Sequence, residues 1–295
     1  MPEQEWLADK FEENRSHLRA VAYRMLGSLN EADDAVQEAW LRLSRTHADE
    51  IENLGGWLTT VVSRVCLDML RSRRSRKEEA FDAQPAEPIA IREGQRDPEQ
   101  ETLLADSIST ALLIVLDRLD PAERLAFVLH DMFAVTFDEI ASILGRSPEA
   151  ARQLASRARR RVQGAPSVPK ASLTEQRRVV DAFLAALRAG DFEGLVAVLD
   201  PDVVVRIDEA AARPGAPREI HGAQNWAKGA IAFSRQFAGA VQPMLVNGEV
   251  GLVLAPSGRM VRVLRFSFAN GKIATADIVA DPARLHEFDL AVIDE

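Results

Sequence analysis

Apolar positions recur at helical spacing through the first half of the chain and at strand spacing through its last third. Leu18, Val21, Ala22, Met25 and Leu26 predict a helix that Gly27 and Ser28 close. Asn30 is placed to cap a second helix, whose stripe is Ala32, Ala35, Val36, Ala39, Trp40 and Leu43 and whose polar face keeps Asp33, Asp34, Gln37 and Glu38. After a loop holding Asn53, Gly55 and Gly56, a third helix is expected to begin near Trp57 and to run through Val61, Val65, Leu67 and Leu70 into a basic stretch. The periodicity then lapses, and Pro85, Pro88 and Pro98 among several acids predict a linker.

Helical spacing resumes near Glu99 and continues through Leu112, Leu113 and Leu116. Asp120-Pro121-Ala122-Glu123 has the order of an N-cap, an N1 proline and a capping-box acid, and Thr136-Phe137-Asp138-Glu139 repeats that logic. The helix after Thr136 stops at Leu144-Gly145, and Ser147-Pro148 starts another with Ala151, Leu154, Ala155, Ala158 and Val162 inside. Gly164 to Ala171 reads as a second linker. Beyond it one helix, Thr174 to Arg188, precedes β-rich runs at Val203–Val205, Val250–Leu254, Val261–Phe268 and Ile273–Val279. Asn247-Gly248 and Asn270-Gly271 are hairpin dipeptides, because both central residues of a type I′ turn need positive φ. The expected partition is a helical domain over 7–77, a linker over 78–98, a second helical domain over 99–163, a linker over 164–173 and an α+β domain over 174–295.

A chain of 295 residues suits two or three cores, and 47% apolar with 27% charged residues places it among folded soluble proteins. No run approaches the roughly 18 apolar residues of a membrane span, and the polar, acidic start is unlike a signal peptide, so the expected location is the cytoplasm, away from membranes. Cys66 is the one cysteine, which excludes an intrachain disulfide and suits a small buried residue. The net charge of −9 is unevenly spread. Arg64, Arg71, Arg73, Arg74, Arg76 and Lys77 face Asp68 alone, and Arg146, Arg152, Arg157, Arg159, Arg160 and Arg161 face Glu149 alone. Two compact basic stretches on an acidic chain fit a protein that grips nucleic acid at two places.

The pair Thr136–Leu144 and Pro148–Val162, joined at Gly145, has the helix-turn-helix pattern, in which the second helix enters the major groove. Its outward face carries Arg152, Gln153, Ser156, Arg157, Arg159 and Arg160: the N-terminal half suits base edges and the C-terminal arginines suit phosphates. The same pattern also describes a helical hairpin with a solvated basic face. Trp57 beside a basic helix likewise reads either as a platform for an unstacked base or as a core aromatic.

The run LRAVAYRMLGSLNEADDAVQEAWLRL at Leu18–Leu43, with GGWLTTVVSRVCLDMLRSRR at Gly55–Arg74, resembles region 2 of the extracytoplasmic-function sigma factors, and the run from Leu116 to Val162 resembles their region 4. The resemblance covers about half the chain. It implies a non-enzymatic factor that binds core RNA polymerase and promoter DNA and needs no cofactor. Asp33, Asp34, Gln37 and Glu38 would then dock on the polymerase. Asn53, Trp57, Arg64, Asp68 and Arg71 would hold the −10 element, and Arg152, Gln153, Ser156, Arg157 and Arg160 would meet the −35 element.

The C-terminal stretch, with AFLAALRAGDFEGLVAVLDPDVVV at Ala182–Val205 and IHGAQNWAKGA at Ile220–Ala230, resembles the SnoaL-like cone fold, which implies an α+β domain regulating the sigma regions within one polypeptide and a possible pocket for a small-molecule ligand. Asp208, His221 and Asp277 are the candidate acid–base groups of such a pocket; their other reading is as surface and hairpin residues. The five histidines lack metal-ligand spacing, and no phosphate-loop, dinucleotide or zinc motif is present. Asp281–Glu295, with five acids against Arg284, reads as an acidic tail able to compete for the Arg64–Lys77 helix.

Overall fold

The structure is a computed structural model that describes residues 2–46, 51–81, 109–212, 215–234, 240–256 and 259–293. These fall into two compact units, 1–109 with 116–159 and 110–115 with 160–295.

In the first unit, α1 (Pro2–Leu26), α2 (Leu29–Leu43) and α3 (Leu54–Phe81) pack pairwise. The stripe predicted for α1 is buried, as are Ala32, Ala35, Val36, Ala39 and Leu43 of α2. Trp40 is half-buried against Phe11, ring centroids 5.1 Å apart. Two helix starts differ from expectation. Ser28, not Asn30, caps α2, its extended backbone letting the hydroxyl accept from the Glu31 amide at 3.5 Å. Asn53 stands just before α3, which begins three residues ahead of Trp57, and its Oδ1 accepts from the Gly56 amide at 3.0 Å, so Gly55 and Gly56 form the first turn rather than a loop. Cys66 is buried in α3, and burial pushes its thiol up to about 12, which keeps it inert. The helix runs to Phe81; residues 82–98 of the expected linker, and the resumption at Glu99 as far as residue 108, lie outside the described residues.

The same unit holds α5 (Pro121–Phe127), its π-helical continuation Val128–Met132, α6 (Phe137–Leu144) and most of α7 (Pro148–Gln163), while α4 (Thr110–Asp117) begins in the second unit. Thr136 closes a full capping box with Glu139, and Gly145 ends α6 in the left-handed region at φ 63°. The matching motif at Asp120 forms no box. Its carboxylate is taken by Arg74, and Glu123, buried at 4% exposure, accepts from Arg157 Nε at 2.8 Å, because an ion pair outweighs a cap on a helix of seven residues.

In the second unit α8 (Lys170–Ala189) starts four residues before the predicted Thr174 and is followed by α9 (Phe192–Val198). The strands are β1 (Leu199–Ile207), β2 (Glu219–His221), β3 (Val241–Val246), β4 (Glu249–Leu254), β5 (Arg262–Ala269), β6 (Lys272–Val279) and β7 (Leu290–Ala291), with α10 (Ala223–Ser234) before β3 and α11 (Pro282–Glu287) before β7. They form one sheet in the order β2-β1-β6-β5-β4-β3-β7, antiparallel except for the parallel pair β1–β6. Both Asn-Gly turns adopt the predicted geometry: φ is 52° and 82° at Asn247-Gly248, and 51° and 70° at Asn270-Gly271.

Alternation along the strands gives this sheet two buried faces. On one, Phe183 of α8 and Trp226 of α10 stack at 5.3 Å above Phe266, with Leu195, Val203, Val205 and Leu252 around them. On the other, Met244, Val246, Val253, Val263 and Val279 meet Leu285, Phe288 and Leu290, together with Ala111, Ile114 and Val115 of α4. The expected acidic tail is therefore corrected: Asp281 caps α11, and Leu285, Phe288, Leu290 and Ala291 are core residues that net charge had masked. Its last two acids, Asp294 and Glu295, lie outside the described residues.

Candidate polymerase-facing and nucleic-acid-facing surfaces

On α2 the residues between the buried positions form a polar face. Asp34 and Gln37 are exposed, Asp33 accepts from Arg19 at 3.1 Å, and Glu38 accepts from Arg42 Nε at 2.9 Å. Leu41 lies on the same face, one turn past Gln37, and at 39% exposure is one of two large apolar side chains left open among the described residues. An apolar residue ringed by a carboxylate and amide suits a protein contact.

At the start of α3, Asn53 is exposed and engaged as a cap, and Trp57 is half-buried. Arg64 is exposed one turn beyond the buried Val61 and donates to the Ser142 carbonyl at 3.3 Å. Asp68 and Arg71 follow on the same helix, both exposed and 3.8 Å apart. These residues share a helix and its start.

The α7 helix separates its two faces cleanly. Ala151, Leu154, Ala155 and Ala158 are buried, while Arg152, Gln153, Ser156, Arg157 and Arg160 are exposed. Ser147 caps it, accepting from Ala150 at 3.2 Å. Arg152 lies 5.1 Å over the Phe137 ring, which holds the guanidinium flat at the start of the helix. Arg157 is tied to Glu123, and Arg159 donates to Asp131 at 2.9 Å.

Residues not singled out from the sequence complete the unit. Arg124, 2% exposed, donates to the Arg24 carbonyl at the end of α1 from Nε at 3.2 Å and Nη2 at 3.1 Å, with Asp117 at 3.6 Å. Burial lowers its guanidinium to about 10. Burial also holds the His17 imidazole below its usual value, with Thr59 Oγ1 at 3.3 Å and the Phe133 ring edge-on at 5.3 Å. Buried arginines without a nearby sequence partner leave no periodic signal.

In the second unit Asp208, His221 and Asp277 each make interactions of their own. Asp208 is spent on backbone: its carboxylate accepts from Ala211 at 2.7 Å and from Ala280 and Asp281 at 3.0 Å each, bracing the end of β1 against β6. His221 is exposed and 2.9 Å from Glu219, and Asp277 pairs with Arg206 on the neighbouring strand at 3.7 Å.

Residues 11–76 match the family model for sigma-70 region 2, and residues 110–162 match that for sigma-70, region 4. The chain is 38% identical over 288 residues to ECF RNA polymerase sigma factor SigJ of Mycobacterium tuberculosis, covering 92% of this chain and 91% of that protein. It is 34% identical over 272 residues to the probable ECF RNA polymerase sigma factor SigI of the same species, covering 92% of each. The crystal structure of Mycobacterium tuberculosis SigJ aligns over 94% of this chain and 98% of its own, at 34% identity and a TM-score of 0.46. The chain belongs to the extracytoplasmic-function sigma factors of the sigma-70 family. It is a non-enzymatic transcription initiation factor that binds core RNA polymerase and promoter DNA, with helical sigma regions followed by an α+β extension. Among the described residues no helix is long and apolar enough to cross a membrane.

Proposed function

We propose that the surfaces divide the work of promoter-directed initiation. The Asp33, Asp34, Gln37 and Glu38 face docks on the polymerase, with Leu41 as its apolar centre. Asn53, Trp57, Arg64, Asp68 and Arg71 hold the −10 element: Trp57 stacks on an unpaired base while Arg64 and Arg71 meet the backbone. Arg152, Gln153 and Ser156 read the −35 element, and Arg157 and Arg160 position α7 on phosphates. The functional domains are 7–77, 99–163 and 174–295, joined by 78–98 and 164–173. The third regulates the first two in cis.

The observation that carries the reading is the exposed row on α7, with an aromatic-backed arginine at the helix start and arginines toward its end. The experiment is transcription from the cognate promoter by core polymerase plus this protein. Arg152→Ala costs about 1–3 kcal/mol at one −35 base position and relaxes preference there, whereas Arg160→Ala weakens all sequences alike and lowers the salt dependence. Uniform loss in both variants refutes the division. Asp34→Lys with Glu38→Lys tests the polymerase face: co-purification with core enzyme drops while the unfolding curve stays within about 0.5 kcal/mol.

A further inference from the structure

Within the first unit, the end of α3, the start of α5 and the start of α7 enclose a cleft of about 430 Å³. Four guanidiniums line it, Arg71 and Arg74 from α3, Arg146 from the turn before α7 and Arg157 from α7 itself. It contains two carboxylates, and both are committed: Asp120 to Arg74 and Glu123 to Arg157. That leaves Arg71 and Arg146 without a carboxylate in the lining. Arg71 has Asp68 of its own helix at 3.8 Å, and Arg146 has no side-chain partner among the described residues. Part of the wall is apolar, formed by Pro121, Ala122 and Leu154.

An excess of planar guanidiniums brought from three chain segments into one concavity matches a compact ligand with adjacent phosphates, because each fork can bond two oxygens of one phosphate while the charges neutralise the pair. The volume falls within the range of small-ligand sites, about 300–1,000 Å³. We infer that this cleft binds a diphosphate group and that its occupancy competes with promoter DNA. Competition follows from shared side chains: Arg71 and Arg157 are also assigned to the two promoter elements, and a guanidinium whose fork is held on a diphosphate is not free to turn to DNA. Only the competition rests on that assignment; the binding does not.

The test uses the full chain in magnesium-free buffer at constant ionic strength, with inorganic pyrophosphate as the probe and calorimetric titration as the readout. Saturable binding is expected. Arg71→Ala with Arg146→Ala lowers the affinity at least about tenfold, since each loses charge-assisted hydrogen bonds. Both side chains are exposed, and circular dichroism checks that the variant is folded. Asp120→Asn moves the other way, about two- to fivefold tighter, because it removes a competing carboxylate. ADP binding tighter than pyrophosphate identifies a nucleotide as the source, and equal binding identifies the inorganic anion. Pyrophosphate then displaces a labelled promoter duplex from the wild type and not from the double variant. Unsaturable uptake, unchanged affinity in the double variant, weaker binding by Asp120→Asn, or bound pyrophosphate that leaves promoter affinity untouched each overturns the inference.

Discussion

Arg124 offers a quantitative test of how the first unit is held. Its guanidinium is 2% exposed and makes two charge-assisted bonds to the Arg24 carbonyl, a group at the end of α1 that lacks a helical partner. Each such bond contributes about 1.5–3 kcal/mol. Against this stands burial, which lowers the group to about 10; that corresponds to about 3 kcal/mol of disadvantage for the charged form. Arg124→Met removes bonds and burial cost together and keeps an unbranched stem, so the net loss is about 1–2 kcal/mol. Arg124→Lys keeps the charge and loses the fork, which costs about 3–5 kcal/mol. The lysine in the folded state has a depressed pKa, whereas the unfolded chain holds its proton up to about pH 10.4, so the penalty fades as pH rises toward that value. Urea unfolding followed by tryptophan emission reports on this unit, which contains Trp6, Trp40 and Trp57. A methionine variant less stable than the lysine variant, or a lysine penalty independent of pH, refutes the balance drawn here.

Trp57→Ala should slow open-complex formation on duplex promoters and be rescued on pre-melted templates, whose opening cost is already removed; equal weakness on both marks a core role instead. His17 is held below its usual 6.5 by burial, so the unfolded chain takes up a proton first as pH falls. Stability is full above about pH 6.5 and declines below it, and His17→Gln should flatten that decline in pH-dependent urea midpoints. Gly164→Ala places a Cβ at φ +67° and 2.4 Å from the Ala291 Cβ. It should cost at least about 2 kcal/mol and speed hydrogen exchange at the Val292 amide, which donates to Val162 at 2.9 Å.

What the sequence displayed depended on range. The hairpin turns were legible because positive φ at Asn247-Gly248 and Asn270-Gly271 is written in two adjacent residues. The α6–α7 pair was legible because the Thr136–Glu139 box and Gly145 are local signals, and the exposed row on α7 followed from its period. The engagement of Arg157 was not, since Glu123 stands 34 residues away and wore the disguise of a capping acid. The β1–β6 pairing joins strands some 70 residues apart, with no turn to announce it. The last segment misled because its acids are frequent and its few apolar residues, Leu285, Phe288 and Leu290, are the ones that pack.

The second core contains Ala111, Ile114 and Val115, which precede the sheet by some 85 residues and belong to the stretch matched by region 4. A chimaera that transplants the sheet onto another sigma factor by cutting at Gly164 would leave Met244, Val246, Val253 and Val263 without the helix that covers them. A stop codon at the same place would strip that helix of its apolar cover in turn. Recombination between such genes therefore preserves a working protein only when the crossover falls upstream of Thr110, so that the helix and the sheet are inherited as one allele.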